Sequence, residues 1–374
     1  MRVSRLLDSV MYSWKTVLVT IGLLFGLKVW NPYLIENITW SWFDFLHQQH
    51  EIEKVEEIVL VDIDEKSLEK YGQYPWPRDI YADIMMESSY TNSHVFTQLF
   101  KEPDRFDGDA KFAEGLINRL TVLSAAPTIQ KDTGSAPIVR TSVFGGGEIK
   151  DHIWNFSGIA SPVEMLKQNT YGVGVTVATP SISGTPNFDG TIRSAPLIVS
   201  ANEQIYPSVA LEVLRVFGDH KNYQTRVTPE VGIEWIRMGR AAPIETTPTA
   251  DIQIAYWYDF DRISAADLSE SDLEGKILIW GLTAEGLNNP SSTPVGVMYP
   301  HEVQASILQS VLQEVRIQQS YYLEFLSLVL LLSVLLGMLV MVYKLPTTFA
   351  GIVGLGVVGF QVGGSLYWWS SSLV

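Results

Sequence analysis

Three long apolar runs interrupt an otherwise ordinary mixture of polar and apolar positions, at residues 10–30, 322–343 and 347–369. A bilayer core about 30 Å thick takes about 20 apolar residues per helix, and each run has that length. The pattern predicts three transmembrane helices, one N-terminal and two C-terminal. A short turn at 344–346, with Lys344 and Pro346, joins the last two. Residues 31–321 then form a domain held on one side of the membrane. Arg2, Arg5 and Lys15 precede or open the first run, whereas acidic and aromatic residues such as Glu36, Trp40 and Asp44 follow it. The bias of basic residues towards the cytoplasm puts residues 1–9 inside, the large domain outside, and the tail 370–374 outside again. The alternative for the first run, a secretory signal peptide, lacks a small-residue cleavage site and would have an unusually long apolar core.

Within the middle region the hydrophobic period changes repeatedly. Residues 57–62, a β-branched run ending in acid, read as a buried strand, and residues 64–71 as a helical turn. A Gly/Pro/aromatic loop follows at 71–79, with Asp79 as the expected N-cap of a helix over 80–89. Further strands are expected at 94–100, 119–125, 172–178, 194–200, 252–258 and 276–281. Helices are expected at 109–118, 161–168, 207–217 and from about 299 through 312, the last running on into the span at 322. Residues 128–159, rich in Gly, Ser and Thr, read as irregular. Strands interleaved with helices predict an α/β sensor-type domain with a central mixed sheet and flanking helices.

Composition narrows the partners. A net charge of −15 argues against nucleic acid, which needs a basic surface. The absence of cysteine excludes disulfides and thiolate metal sites. The two glycosylation-like sequons, at Asn37 and Asn155, are no more than chance. The expected setting is a bacterial inner membrane, with the domain facing the periplasm or exterior.

Four blocks in order carry a resemblance: "IVLVDIDEKSLEKYGQYPWPRD", "FTQLFKEPDRFDGDAKFAEGL", "GVGVTVATPSISGTPNFDGTIRSAPLI" and "KILIWGLTAEGLNNPSSTPVGVMYPHEVQASIL". Together they resemble the CHASE type-two extracellular sensor domain over residues 37–313. The resemblance implies an extracytoplasmic sensor with one helix before it and usually three after. A cytoplasmic histidine kinase, adenylyl cyclase or diguanylate cyclase normally follows. Three features depart from that family. Residues 96–100 lack an Asp usual after the second strand, His301 and Gln304 stand where a Gly and a His are common, and two apolar runs rather than three follow the domain.

Candidate ligand contacts are Asp62, Asp64, Trp76, Arg78 and Asp79, beside Tyr74, where acids at a strand end meet an aromatic loop, against a structural loop with Asp79 as cap, Arg78 paired to Asp62 or Asp64 and Trp76 in the core. The turn with Asp189, Gly190 and Arg193 repeats that logic, against a plain Asp-Gly turn. Thr283 and Asn288, with Thr293, follow a strand and could donate hydrogen bonds; the local G-x-x-x-x-G lacks the Lys-Ser/Thr of a phosphate loop. Gly354, Gly356 and Gly359 match a dinucleotide fingerprint but lie within an apolar run. There Gly359 and Gly363 read as close helix packing in the membrane. His47 and His50 beside Glu51 and Glu53, and the trio Asp104, Asp107 and Asp109, are weak metal patterns, and no metal or other cofactor is expected. No catalytic motif is assembled, so the chain itself is not expected to be an enzyme; a kinase or cyclase output would lie elsewhere.

The sequence thus favours a sensor that binds a small ligand or envelope protein near residues 62–79. It would relay the event through a helix beginning near His301. Membrane lipid and a second copy, or a helix-packed partner, complete the expected partners. The alternatives are a structural accessory subunit of an envelope complex and, third, an outer-face hydrolase using Asp62, Asp64 or His301.

Overall fold

The aliphatic run opening the middle region forms the strand around which the domain is built. The computed structural model describes residues 33–130, 141–178, 189–270 and 273–314, with isolated helical positions at 19, 22, 23, 26, 356, 359, 363 and 364. It divides into two units: Met1–His50 with Gln319–Val374, and Glu51–Gln318. Among the described residues no helix is long and apolar enough to cross a membrane. Apart from those isolated positions, the three apolar runs lie outside the described residues.

In the first unit, helix α1 spans Tyr33–Gln48. It stops before His50, so His50 and Glu51 do not share a helix face with His47. His47 is buried and its Nδ1 donates to Phe43 O at 3.2 Å.

In the second unit, the elements run in chain order β1 (Glu53–Ile63), α2 (Glu65–Tyr71), α3 (Arg78–Glu87), β2 (Ser93–Phe96), α4 (Asp109–Leu116) and β3 (Thr121–Thr128). There follow β4 (Thr141–Phe144), β5 (Asn155–Phe156), β6 (Gly158–Ala160), α5 (Glu164–Asn169), β7 (Gly172–Val175), β8 (Ser194–Pro196), β9 (Ile198–Ala201) and β10 (Gln204–Pro207). The last are α6 (Val209–Phe217), β11 (Tyr223–Thr228), β12 (Gly232–Met238), β13 (Ile244–Glu245), β14 (Asp251–Gln253), β15 (Tyr258–Ser264), β16 (Ile277–Leu282), β17 (Ser291–Thr293), β18 (Gly296–Met298) and α7 (Pro300–Leu312).

The main sheet has the order β15-β1-β16-β2-β3, with β7 and β6 both pairing β3. All its pairs are parallel except β3 with β6, so the sheet is mixed. A parallel sheet covered on both faces needs continuous rather than alternating apolar strands. β1 obeys this: Ile58, Val59, Leu60, Val61 and Ile63 are all buried. On one face, Tyr81, Phe96, Phe100, Phe112 and Trp280 form an aromatic core with neighbouring ring centroids 5.1–6.2 Å apart.

Several expectations need correcting. Asp79 does not cap its helix: α3 begins at Arg78 with Pro77 as N-cap, placing Asp79 in the first turn. Pro207 closes β10 instead of opening a helix; Ser208 caps α6 by accepting from Leu211 N. The strand expected over 194–200 divides into β8, which pairs β14, and β9, which pairs β10 and β5. The expected strand over 252–258 divides into β14 and β15. Part of the region expected to be irregular is strand: β4 pairs β11 in parallel and β6 pairs β3; residues 131–140 lie outside the described residues.

The final helix sets the direction of the domain. His301 at its start bonds Asp62 near the end of β1, at 2.9 Å. Near its other end, Ser310 Oγ accepts from Ala255 N at 2.9 Å, just before β15 begins. Helix α7 therefore runs antiparallel to the strands, from their C-terminal to their N-terminal edge. It ends at Leu312, with Glu314 at φ 51°. The expected unbroken continuation towards residue 322 is interrupted there by a left-handed residue, which a helix cannot carry.

Candidate functional site at the C-terminal edge of the sheet

β15, β1 and β16 end side by side, with Asp62 in register with Ser264 on one side and Gly281 on the other. Crevices at the carboxyl ends of parallel strands are where α/β folds bind ligands. An open cleft of about 720 Å³ lies here. Asp62, Glu65, Leu68, Arg262, Thr283, Ala284, Glu285 and Tyr299 line it.

Asp62 is the centre of the polar arrangement. Arg262 from β15 donates through Nε to Asp62 Oδ2 at 2.9 Å and through Nη2 to Oδ1 at 3.0 Å. His301 Nε2 donates to Asp62 Oδ1 at 2.9 Å. The third guanidinium nitrogen of Arg262, Nη1, pairs with Glu302. Glu302 in turn accepts from Tyr299 N, closing the first turn of α7. The Arg262 guanidinium also stands 5.5 Å from the Tyr299 ring centroid, within cation–π range. Burial pushes the Asp62 carboxyl up, but the hydrogen bonds from His301 and Arg262 outweigh it and hold it below the usual carboxylate range. Arg262 is pulled down by burial and raised overall by Asp62 and Glu302. These paired charges tie the ends of two strands to the start of a helix.

His301 is fully buried. Its ring lies against Gly281, where an added Cβ would stand 2.0 Å from Nδ1. With Nε2 held by Asp62 and Nδ1 buried without a hydrogen-bond partner, the imidazole has no nitrogen exposed to a substrate.

The structure divides the candidates named from sequence. Asp62 and Thr283 line the cleft. Asp64 instead caps α2, accepting from Ser67 N at 2.9 Å and from Ser264 Oγ at 2.7 Å. Trp76 is a core residue whose Nε1 donates to Gly72 O at 2.8 Å. Arg78 points to a different loop, pairing with Asp109 and Glu102 O. The Asp79 carboxylate has a buried Oδ1 without a partner. Asp189 and Arg193 satisfy each other at 2.6 Å. Asn288 donates to Thr283 O and Ala284 O at 2.7 and 3.0 Å, closing the loop that carries Thr283.

Two of the acidic trio, Asp104 and Asp109, are likewise structural. Asp104 Oδ2 accepts from Arg78 N and Gly108 N, and Asp109 Oδ2 accepts from Asp104 N. Gly108 is required by this packing, since a Cβ would lie 2.7 Å from both Asp104 Oδ2 and Asp79 N. Among the described residues no group of three or more His, Asp or Glu side chains could hold a metal ion. At Gly359 and Gly363 no described residue lies within 4 Å of where a Cβ would stand.

Sequence reasoning missed Glu65, Arg262, Glu285, Tyr299 and Glu302. Only one signal was available: Tyr299-Pro300-x-Glu302, an acid three residues after a helix boundary, is a capping pattern. The Arg262–Asp62 pair joins positions 200 residues apart, with no local pattern to mark it.

A family model described as the CHASE2 domain matches residues 16–343. No curated protein and no solved structure matches the chain.

Proposed function

The chain belongs to the CHASE2 domain family, a family of extracellular sensor domains, and on that premise we propose the following mechanism. The domain stands outside a bacterial inner membrane, held by three transmembrane helices at 10–30, 322–343 and 347–369. A ligand or partner occupies the cleft at the ends of β15, β1 and β16. Its occupancy biases α7 through Asp62–His301 and Arg262–Glu302. Residues following α7 carry the bias towards the membrane segments.

The observation that carries this reading is that cleft-lining residues hold the first turn of α7 directly, through His301 and Glu302. A ligand altering Asp62 or Arg262 must alter those bonds. Coupling between sites is typically about 1–3 kcal/mol, within reach of a few such bonds. The turn after Leu312 replaces a stiff rod with a joint, so the relay is a displacement or loosening of α7 rather than a rigid piston through the bilayer. An outer-face hydrolase gains no support, because His301 exposes neither ring nitrogen.

A double-mutant cycle tests the bond at the centre of this reading. Arg262→Met, Glu302→Gln and the double variant are compared by denaturation midpoint in the full chain. Residues sharing an ion pair couple by about 0.5–3 kcal/mol. A coupling of about 1 kcal/mol is expected; strict additivity would show that the pair does not link strand to helix.

A further inference from the structure

We infer that the cleft accepts a small organic cation, an ammonium or guanidinium group on a short apolar stem. This rests on the proposed reading of the cleft as the sensory site. The charge balance of the lining carries it. Arg262, the cation in the lining, already turns all three guanidinium nitrogens towards carboxylates of the protein, two to Asp62 and one to Glu302. An incoming anion would have to displace those carboxylates. The lysines of the adjoining helix α2 are also engaged: Lys66 pairs with Asp267 at 2.6 Å, and Lys70 donates to Ala266 O at 2.6 Å.

Glu65 and Glu285 stand in the same lining, both exposed, and among the described residues no ion pair reaches either carboxylate. Glu65 Oε1 accepts from Glu285 N at 2.8 Å, which fixes the two acids on one rim. Two features independent of charge accompany them. The space itself is large enough for a small molecule, and Thr283 Oγ1 is buried in its lining without a hydrogen-bond partner. Leu68, Ala284 and Tyr299 supply apolar surface for a stem. The net charge of −15 concentrates cations around the whole molecule.

The test uses the full chain in lipid nanodiscs and ligand-observed NMR. The probes are n-butylammonium, n-butyrate, 1-butanol and calcium chloride, each with wild type and with the Glu65→Gln/Glu285→Gln double variant. Both residues are exposed, so the variant keeps the fold. Saturable binding of n-butylammonium, weakened about fivefold or more in the double variant, is the expected result, because two exposed charges that attract the ammonium are neutralised together. Preferential binding of butyrate or butanol, a response to calcium alone, or butylammonium binding indifferent to both substitutions overturns the assignment. So does a complete absence of binding. In each of those cases the relay stands or falls separately, on the Arg262–Glu302 coupling.

Discussion

Two buried titratable residues give the domain opposing responses to pH. His94 is fully buried, its Nδ1 accepting from Trp280 Nε1 at 3.1 Å and its Nε2 donating to Ser88 Oγ at 3.3 Å. Burial, then the nearby Arg119, lowers its pKa from 6.5 to about 3. The unfolded chain therefore binds the proton more readily between those values, and stability from this residue falls as pH drops below 6.5. Asp251 behaves in the opposite sense. Burial raises it from 3.8 to about 6, against hydrogen bonds from Thr249, Trp154 and Thr247, and its Oδ1 has no partner. The folded state binds that proton more readily, so the carboxyl costs stability above about pH 6 and the cost disappears as pH falls towards 3.8. Each tenfold difference in proton affinity between the folded and unfolded chain is worth about 1.4 kcal/mol. Asp251→Asn is expected to raise the denaturation midpoint at pH 7.5 and to lose that advantage by pH 4.5. His94→Gln is expected to lower the midpoint at pH 7.5 and to flatten the acid limb. Parallel changes at both pH values would contradict these assignments.

At the scale of elements, continuous apolar runs and caps were legible. β1, β16, α4 and α7 fall within a few residues of their expected limits, because a buried parallel strand and an amphipathic helix each leave a local pattern. The short strands from β10 to β13 were not read: β10 with β9, β12 with β11 and β13 with β12 are local antiparallel pairs of few residues, whereas β11 also pairs β4 across about 80 residues. Separation along the chain hid half the site. Asp62 was legible as an acid ending a strand, whereas Arg262 became meaningful only once β15 was seen to lie beside β1. The charged aromatic loop carried two readings, and Trp76 lies in the core as the structural one had it, whereas Arg78 pairs with Asp109 rather than with Asp62 or Asp64. Gly281 is the contact where strand and helix are matched: its missing side chain leaves room for the His301 ring. Gly281→Ala is expected to destabilise by about 1–3 kcal/mol, the usual cost of forcing atoms into a packed interior. Adding His301→Ala should recover part of that loss. If the double variant were no more stable than the sum of the two singles, the ring and the glycine would not be in contact.

For the whole molecule, the direction of α7 matters most. The helix begins among the groups lining the cleft and ends at the opposite edge of the sheet. A sensor needs a path of this kind between a site and its exit. In the proposed relay that path is a helix of 13 residues, about 20 Å long, held at its start by the His301–Asp62 and Arg262–Glu302 side-chain contacts. Amide hydrogen exchange across residues 300–312 tests that path most directly, measured on the full chain in lipid. Wild type would be compared with Asp62→Asn and Arg262→Met, with Lys54→Met removing an exposed ion pair to Asp261 of the same sheet as the control. The account predicts faster exchange along α7, reaching its end near Leu312, in the two cleft variants and not in the control. Exchange along α7 unchanged in all three would contradict it, because the cleft would then have no hold on the helix.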